Sequence, residues 1–65
     1  MNDFGDRLKE LRHKKGVTQA TLAEYMNVDV VTVCHWEKSK QEPSIEALKK
    51  LCEFFRISSS ELLGF

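Results

Sequence analysis

Positive side chains are the first chemistry this sequence offers. Arg7, Lys9, Arg12, His13, Lys14 and Lys15 crowd one stretch, and Lys38 and Lys40 stand close together further on. Ten basic and ten acidic residues give a formal charge of zero, but Glu42, Glu46, Glu53 and Glu61 lie mostly toward the C-terminal third. A neutral total can hide a basic face, which is what neutralising a run of phosphates requires. Other chemistries lack their parts. No nucleophile is paired with a base, no glycine-rich loop cradles phosphate, and no two carboxylates are spaced for acid–base work. A chain of 65 residues also leaves no room for a shielded pocket of ordinary size. An enzyme is therefore not expected, nor a small-molecule substrate, nor a cofactor. Cys34 and Cys52 have no metal-type spacing, and His13 and His35 do not complete a zinc set, so no metal is expected. No apolar run is long enough for a membrane span, and the two cysteines read as reduced thiols of a cytoplasmic protein.

The elements that must position these residues are short helices. The whole chain, residues 1–65, reads as one all-α domain of five helices. Asp3 is placed to cap a first helix over residues 4–15, with Phe4, Leu8 and Leu11 as its apolar stripe. Lys14 and Lys15 suit the negative end of its dipole, and Gly16 suits a left-handed end. Thr18 caps a second helix whose inward face is Leu22, Ala23 and Met26. Asn27, which tolerates left-handed backbone, turns the chain, and Asp29 caps a third helix from residue 30 to about 38. The valines over 28–33 favour strand, but the flanking caps decide for helix. After a loop over 39–43, Ser44 starts a fourth helix expected to bury Ile45, Leu48, Leu51, Cys52 and Phe55. The run Ser58-Ser59-Ser60 then leads to a final short helix over about 61–63.

Residues 18 to about 37 have the layout of a helix-turn-helix, in which the second helix stands away from the first and projects into a major groove about 12 Å wide. That geometry needs a small residue where the helices cross, a tight turn and large apolar residues that hold the angle. Ala23, Asn27 and the set Val28, Val33 and Trp36 supply them. The positions left facing outward are Val30, Val31, Cys34, His35 and Lys38.

On these residues the chain resembles the phage repressor and Cro helix-turn-helix family over almost its whole length. The family's pattern is matched by Gln19 followed by Leu22-Ala23, the turn Asn27-Val28-Asp29, the pair Trp36-Glu37, Lys40 through Pro43-Ser44, and the serine approach to Glu61-Leu62-Leu63. The resemblance implies a compact five-helix bundle of the lambda-repressor-like type. It also implies a sequence-specific transcriptional regulator of double-stranded DNA, a repressor that binds a palindromic operator as a homodimer at the nucleoid. Thr18 and Gln19 would meet the phosphate backbone, and Val30, Val31, Thr32 and His35 would face base edges. Lys38 and Lys40 would grip phosphates, and Arg12 and Glu37 would form a structural salt bridge. Leu62, Leu63 and Phe65 stand either in the core or at a dimer contact, and Cys34 either faces DNA or packs sideways.

Two departures from the family pattern matter. Val30 and Val31 stand where hydrogen-bonding side chains are usual, so base reading there would rest on thymine methyls and His35, or one valine would cap the core instead. DNA shape would then carry part of the specificity. Ser39 and Arg56 stand where Gly or Asn is common at helix ends. The apolar turn and the zero net charge keep a rival open: a module of this fold that binds protein, as an antitoxin or regulator-binding domain does.

Overall fold

The computed structural model describes residues 3–64, and all regular structure among them is helical. In chain order the elements are α1 (Phe4–Lys15), α2 (Gln19–Met26), α3 (Val30–Glu37), α4 (Ile45–Phe55) and α5 (Ser59–Leu63). Every helix begins on a side-chain cap. Asp3, Thr18, Ser44 and Ser58 each accept the backbone N–H three residues on, and Asp29 accepts that of Val31. Helices this short are marginal alone, so caps worth about 1 kcal/mol each bear on whether they form.

The first four helices also end alike, with a left-handed residue just past the helix and two N–H groups turned back into its last turn. The left-handed residues are Gly16, Asn27, Ser39 and Arg56, at φ 74°, 59°, 57° and 56°. At the end of α3, Ser39 N–H donates to the Trp36 carbonyl at 3.1 Å and Lys40 N–H to the His35 carbonyl at 2.9 Å. This conformation costs an ordinary L-residue roughly 1–2 kcal/mol, so Ser39 and Arg56 hold it against their preference.

Leu8, Leu22, Ala23, Met26, Val33, Trp36, Leu51 and Leu62 form the buried core. Within it α3 packs on α1 and α2, while α4 packs on α2 and α5. Helix α3 is thus braced by the first two helices, and α4 with α5 closes the other side.

Two expectations change and one alternative is decided. Ile45 is not buried but 72% exposed, while Leu48, Cys52 and Phe55 are half-buried. Ile45 lies about 120° around α4 from Leu51, the residue that α2 and α5 seal. Second, α5 begins at Ser59 rather than Glu61. Ser58 Oγ accepts the Glu61 N–H at 3.1 Å and Glu61 Oε1 accepts the Ser58 N–H at 3.5 Å, so two of the serines form the first turn. Of the two alternatives for Leu62, the core is the one observed: where α5 meets α1 and α4 it is fully buried and out of reach of a second copy. Leu63 is 38% exposed, and Phe65 lies outside the described residues.

Candidate nucleic-acid interface

A polar network holds α3 from the inside. Arg12 Nε donates to Glu37 Oε2 at 2.6 Å, and Arg12 Nη2 donates to Glu37 Oε1 at 3.2 Å. Arg12 Nη1 reaches back to the Val17 carbonyl at 2.9 Å, tying in the loop between α1 and α2. Gln19 Nε2 donates to Glu37 Oε1 at 2.9 Å, which brings in α2 as well. The Glu37 side chain is 1% exposed and that of Arg12 10%. Burial pushes the Glu37 carboxyl up, but the hydrogen bonds from Arg12 and Gln19, with the charges of Arg12 and Lys9, outweigh it and hold the group below the usual carboxylate range. Trp36, 3% exposed, fills the core side of the same turn.

Two further contacts fix that turn, and neither is evident from the sequence. Gly5 is buried against the last turn of α3, and a Cβ there would collide with the Glu37 carbonyl. Only glycine lets the two backbones approach so closely. The available signal is a glycine inside a helical pattern, where it ordinarily costs about 1 kcal/mol against alanine. Ser39 Oγ donates to Asp3 Oδ2 at 3.0 Å, fastening the loop after α3 to the cap of α1. Hydrogen bonds from the Asp6 N–H and Ser39 hold the Asp3 carboxyl low.

The outer surface has a different chemistry. Val30 and Val31 are 42% and 53% exposed at the first turn of α3, and Lys38 and Lys40 are exposed beyond its end. Thr32, Cys34 and His35 are half-buried between them. The two helix starts nearby differ in charge. Asp29 caps α3 with a carboxylate, its Oδ1 taking the Val31 N–H at 2.8 Å. Thr18 caps α2 with a neutral hydroxyl that takes the Thr21 N–H at 3.1 Å. The cap of α2 therefore adds no negative charge to the positive end of its helix dipole, the end that favours an anion. The Gln19 amide adds a second N–H to that end beyond the one held by Glu37.

The basic cluster of α1 does not make one face. Arg12 is inside, the Arg7 guanidinium packs against Gly64 at the end of α5, and Lys15 Nζ lies 4.9 Å over the Phe54 ring. Alternate residues of a charged helical run face different sides, and the core claims one of them. Among the described residues, no group of three or more His, Cys, Asp or Glu could hold a metal ion, and no helix is long and apolar enough to cross a membrane.

Comparison with known proteins agrees with this arrangement. A family model described as Helix-turn-helix matches residues 8–62. The transcriptional activator BcrR of Enterococcus faecalis is 38% identical over 62 residues, covering 95% of this chain and 30% of its own length. The transcriptional regulator ImmR of Bacillus subtilis is 37% identical over 61 residues, 94% of this chain and 48% of its own. The chain thus spans about a third to a half of these curated relatives. Among solved structures, the phage P22 c2 repressor in complex with a synthetic operator superposes with a TM-score of 0.90 at 32% identity, covering 97% of this chain and 96% of that one.

Proposed function

Because the chain belongs to the Cro/repressor-type helix-turn-helix family, we propose that it is the DNA-binding unit of a sequence-specific transcriptional regulator acting in the cytoplasm at the nucleoid. The observation that carries this reading is the bracing of α3. Its inner end is locked to α1 and α2, and its outer turn stands clear between an open α2 start and two lysines. In this reading α3 enters the major groove, Val30, Val31, Thr32 and His35 face base edges, and Thr18, Gln19, Lys38 and Lys40 meet phosphates. Regulation is by occupancy of a palindromic operator, as a repressor. Selection of bound duplexes from a random pool, followed by a salt titration, tests it. Enriched half-sites with centres about 34 Å apart and steeply salt-dependent binding support it; no enrichment overturns it.

A homodimer on DNA would use the side of α4 that the core leaves uncovered. Ile45 and Leu63 are exposed there and Leu48 and Cys52 half-buried, bordering two shallow grooves that share Leu48. Lys49 and Glu53 flank the second groove, and across a twofold axis such opposite charges are self-complementary. A surface this small suits a weak pair that forms when DNA holds two copies together. Ile45→Asp should abolish cooperative binding to two half-sites while leaving a single half-site bound, as read by gel shift.

The rival, a protein-binding module, draws on the exposed Val30 and Val31 and the zero net charge. A complex with a protein that is insensitive to salt, with no shift of DNA at low salt, would favour it.

A further inference from the structure

Ser39 holds a backbone conformation that its own side chain does not favour. Its φ is 57°, in the left-handed region that glycine enters at no steric cost. What serine adds there, and glycine cannot, is a hydroxyl. Ser39 Oγ donates to Asp3 Oδ2 at 3.0 Å, while the other oxygen of that carboxylate, Oδ1, accepts the Asp6 N–H at 2.9 Å. The cap of α1 therefore fixes the acceptor that the loop after α3 uses. Gly5 clears the way, since a Cβ there would stand 2.8 Å from Ser39 Oγ. Lys38 and Lys40, both exposed, flank Ser39 in the same turn, and Lys40 N–H donates to the His35 carbonyl at 2.9 Å. Local strain of this kind persists only where the surroundings hold it, and such residues cluster where the chain has a task.

Resting on the DNA-binding reading above, we propose that Asp3 and Ser39 are positioning residues for the grip on phosphate. Their hydrogen bond locks the turn that carries Lys38 and Lys40 against the start of α1, so both lysine stems leave from a fixed backbone before DNA arrives. Without that bond the turn must be ordered during binding, and the cost appears as lost affinity. The start of α1 thus sets the strength of a contact made beyond the end of α3.

The test measures binding to a duplex selected from a random pool, with stability followed by urea unfolding. Ser39→Ala removes the hydroxyl and should bind about threefold more weakly, the factor of one solvent-exposed hydrogen bond. Ser39→Gly should bind no better than Ser39→Ala, although release from the left-handed cost places its urea midpoint above that of Ser39→Ala. In the Lys38→Ala/Lys40→Ala background, at low salt where that protein still binds, Ser39→Ala should cause no further loss, because nothing is left to position. A residue that merely supports the fold would lower affinity in both backgrounds. Wild-type affinity in Ser39→Ala or Ser39→Gly, or a loss that recurs undiminished without the lysines, overturns the proposal while leaving DNA binding intact. Failure of the wild-type chain to bind any selected duplex overturns the DNA-binding reading and this proposal together.

Discussion

The two ends of α3 are built on opposite chemistries, with Val33 and Trp36 filling the core between them. Its buried end carries an ionised carboxylate held by Arg12 and Gln19, whereas its exposed first turn carries two valines. Hydrophobic burial would have stabilised the inner end equally well, because replacing a buried ion pair by aliphatic residues is often neutral or better. What the network adds is direction. Hydrogen bonds at fixed atoms join α3 to α1, to α2 and to the loop between them, so the helix has one tilt. The outer valines add no direction and need a helix already aimed. In the proposed reading, orientation and reading are divided along α3: the Arg12–Glu37–Gln19 network aims the helix beside Trp36 and Val33, and the exposed valines face the partner.

The largest way to break this division is from inside. Glu37→Ala leaves the Arg12 guanidinium buried without its partner and should cost about 3–5 kcal/mol, measured by urea unfolding followed through Trp36 fluorescence. The double change Arg12→Met/Glu37→Leu should return stability to within about 1–2 kcal/mol of wild type yet bind DNA more weakly, because aim is lost while packing is kept. Full affinity in that variant would contradict the division. Next, Gly5→Ala should cost about 1–3 kcal/mol, since the added methyl forces α1 away from the Glu37 carbonyl. The expected readout is a lower urea midpoint.

Acid should weaken the Glu37 network. The Glu37 carboxyl titrates lower in the folded chain than in the unfolded one, so its contribution is present above the unfolded value and lost as pH falls through the folded one. Stability should be level from pH 7 to about pH 5 and decline below that, with Asp3 acting in the same direction. Glu37→Gln should flatten part of the decline in urea titrations at stepped pH. The smallest effect lies far from both sides. Arg56→Gly should stabilise the chain by about 0.5–1 kcal/mol, by removing a left-handed cost that an arginine bears at φ 56°. A lower urea midpoint would count against that explanation.

Local signals carry much of this structure in the sequence. Asp3, Thr18, Asp29 and Ser44 are legible as caps, and Gly16 and Asn27 as turns, because each acts on its own helix within three residues. The positions of Arg12 and Glu37 come through family resemblance; their bridge spans 25 residues, which no local pattern reveals. Ile45 is exposed and Leu62 buried for a related reason. Both sit on apolar stripes, and only the docking of α4 on α2 and α5 decides which part of a stripe is sealed. Gly5 is not legible as a contact because its importance lies in the partner backbone, not in its own side chain. The basic cluster misleads in the opposite sense: charge counted along the chain says little about which face of α1 each residue takes.

The most direct test of the docking face is the salt dependence of binding to a selected duplex, measured for wild type and for Lys38→Ala/Lys40→Ala. Each phosphate left without its lysine should reduce the slope of log affinity against log salt by about one. The double variant should therefore show a slope shallower than wild type by about two, with its fold unchanged. An undiminished slope would mean that the loop after α3 does not lie on phosphates, and the proposed orientation of α3 in the groove would be wrong.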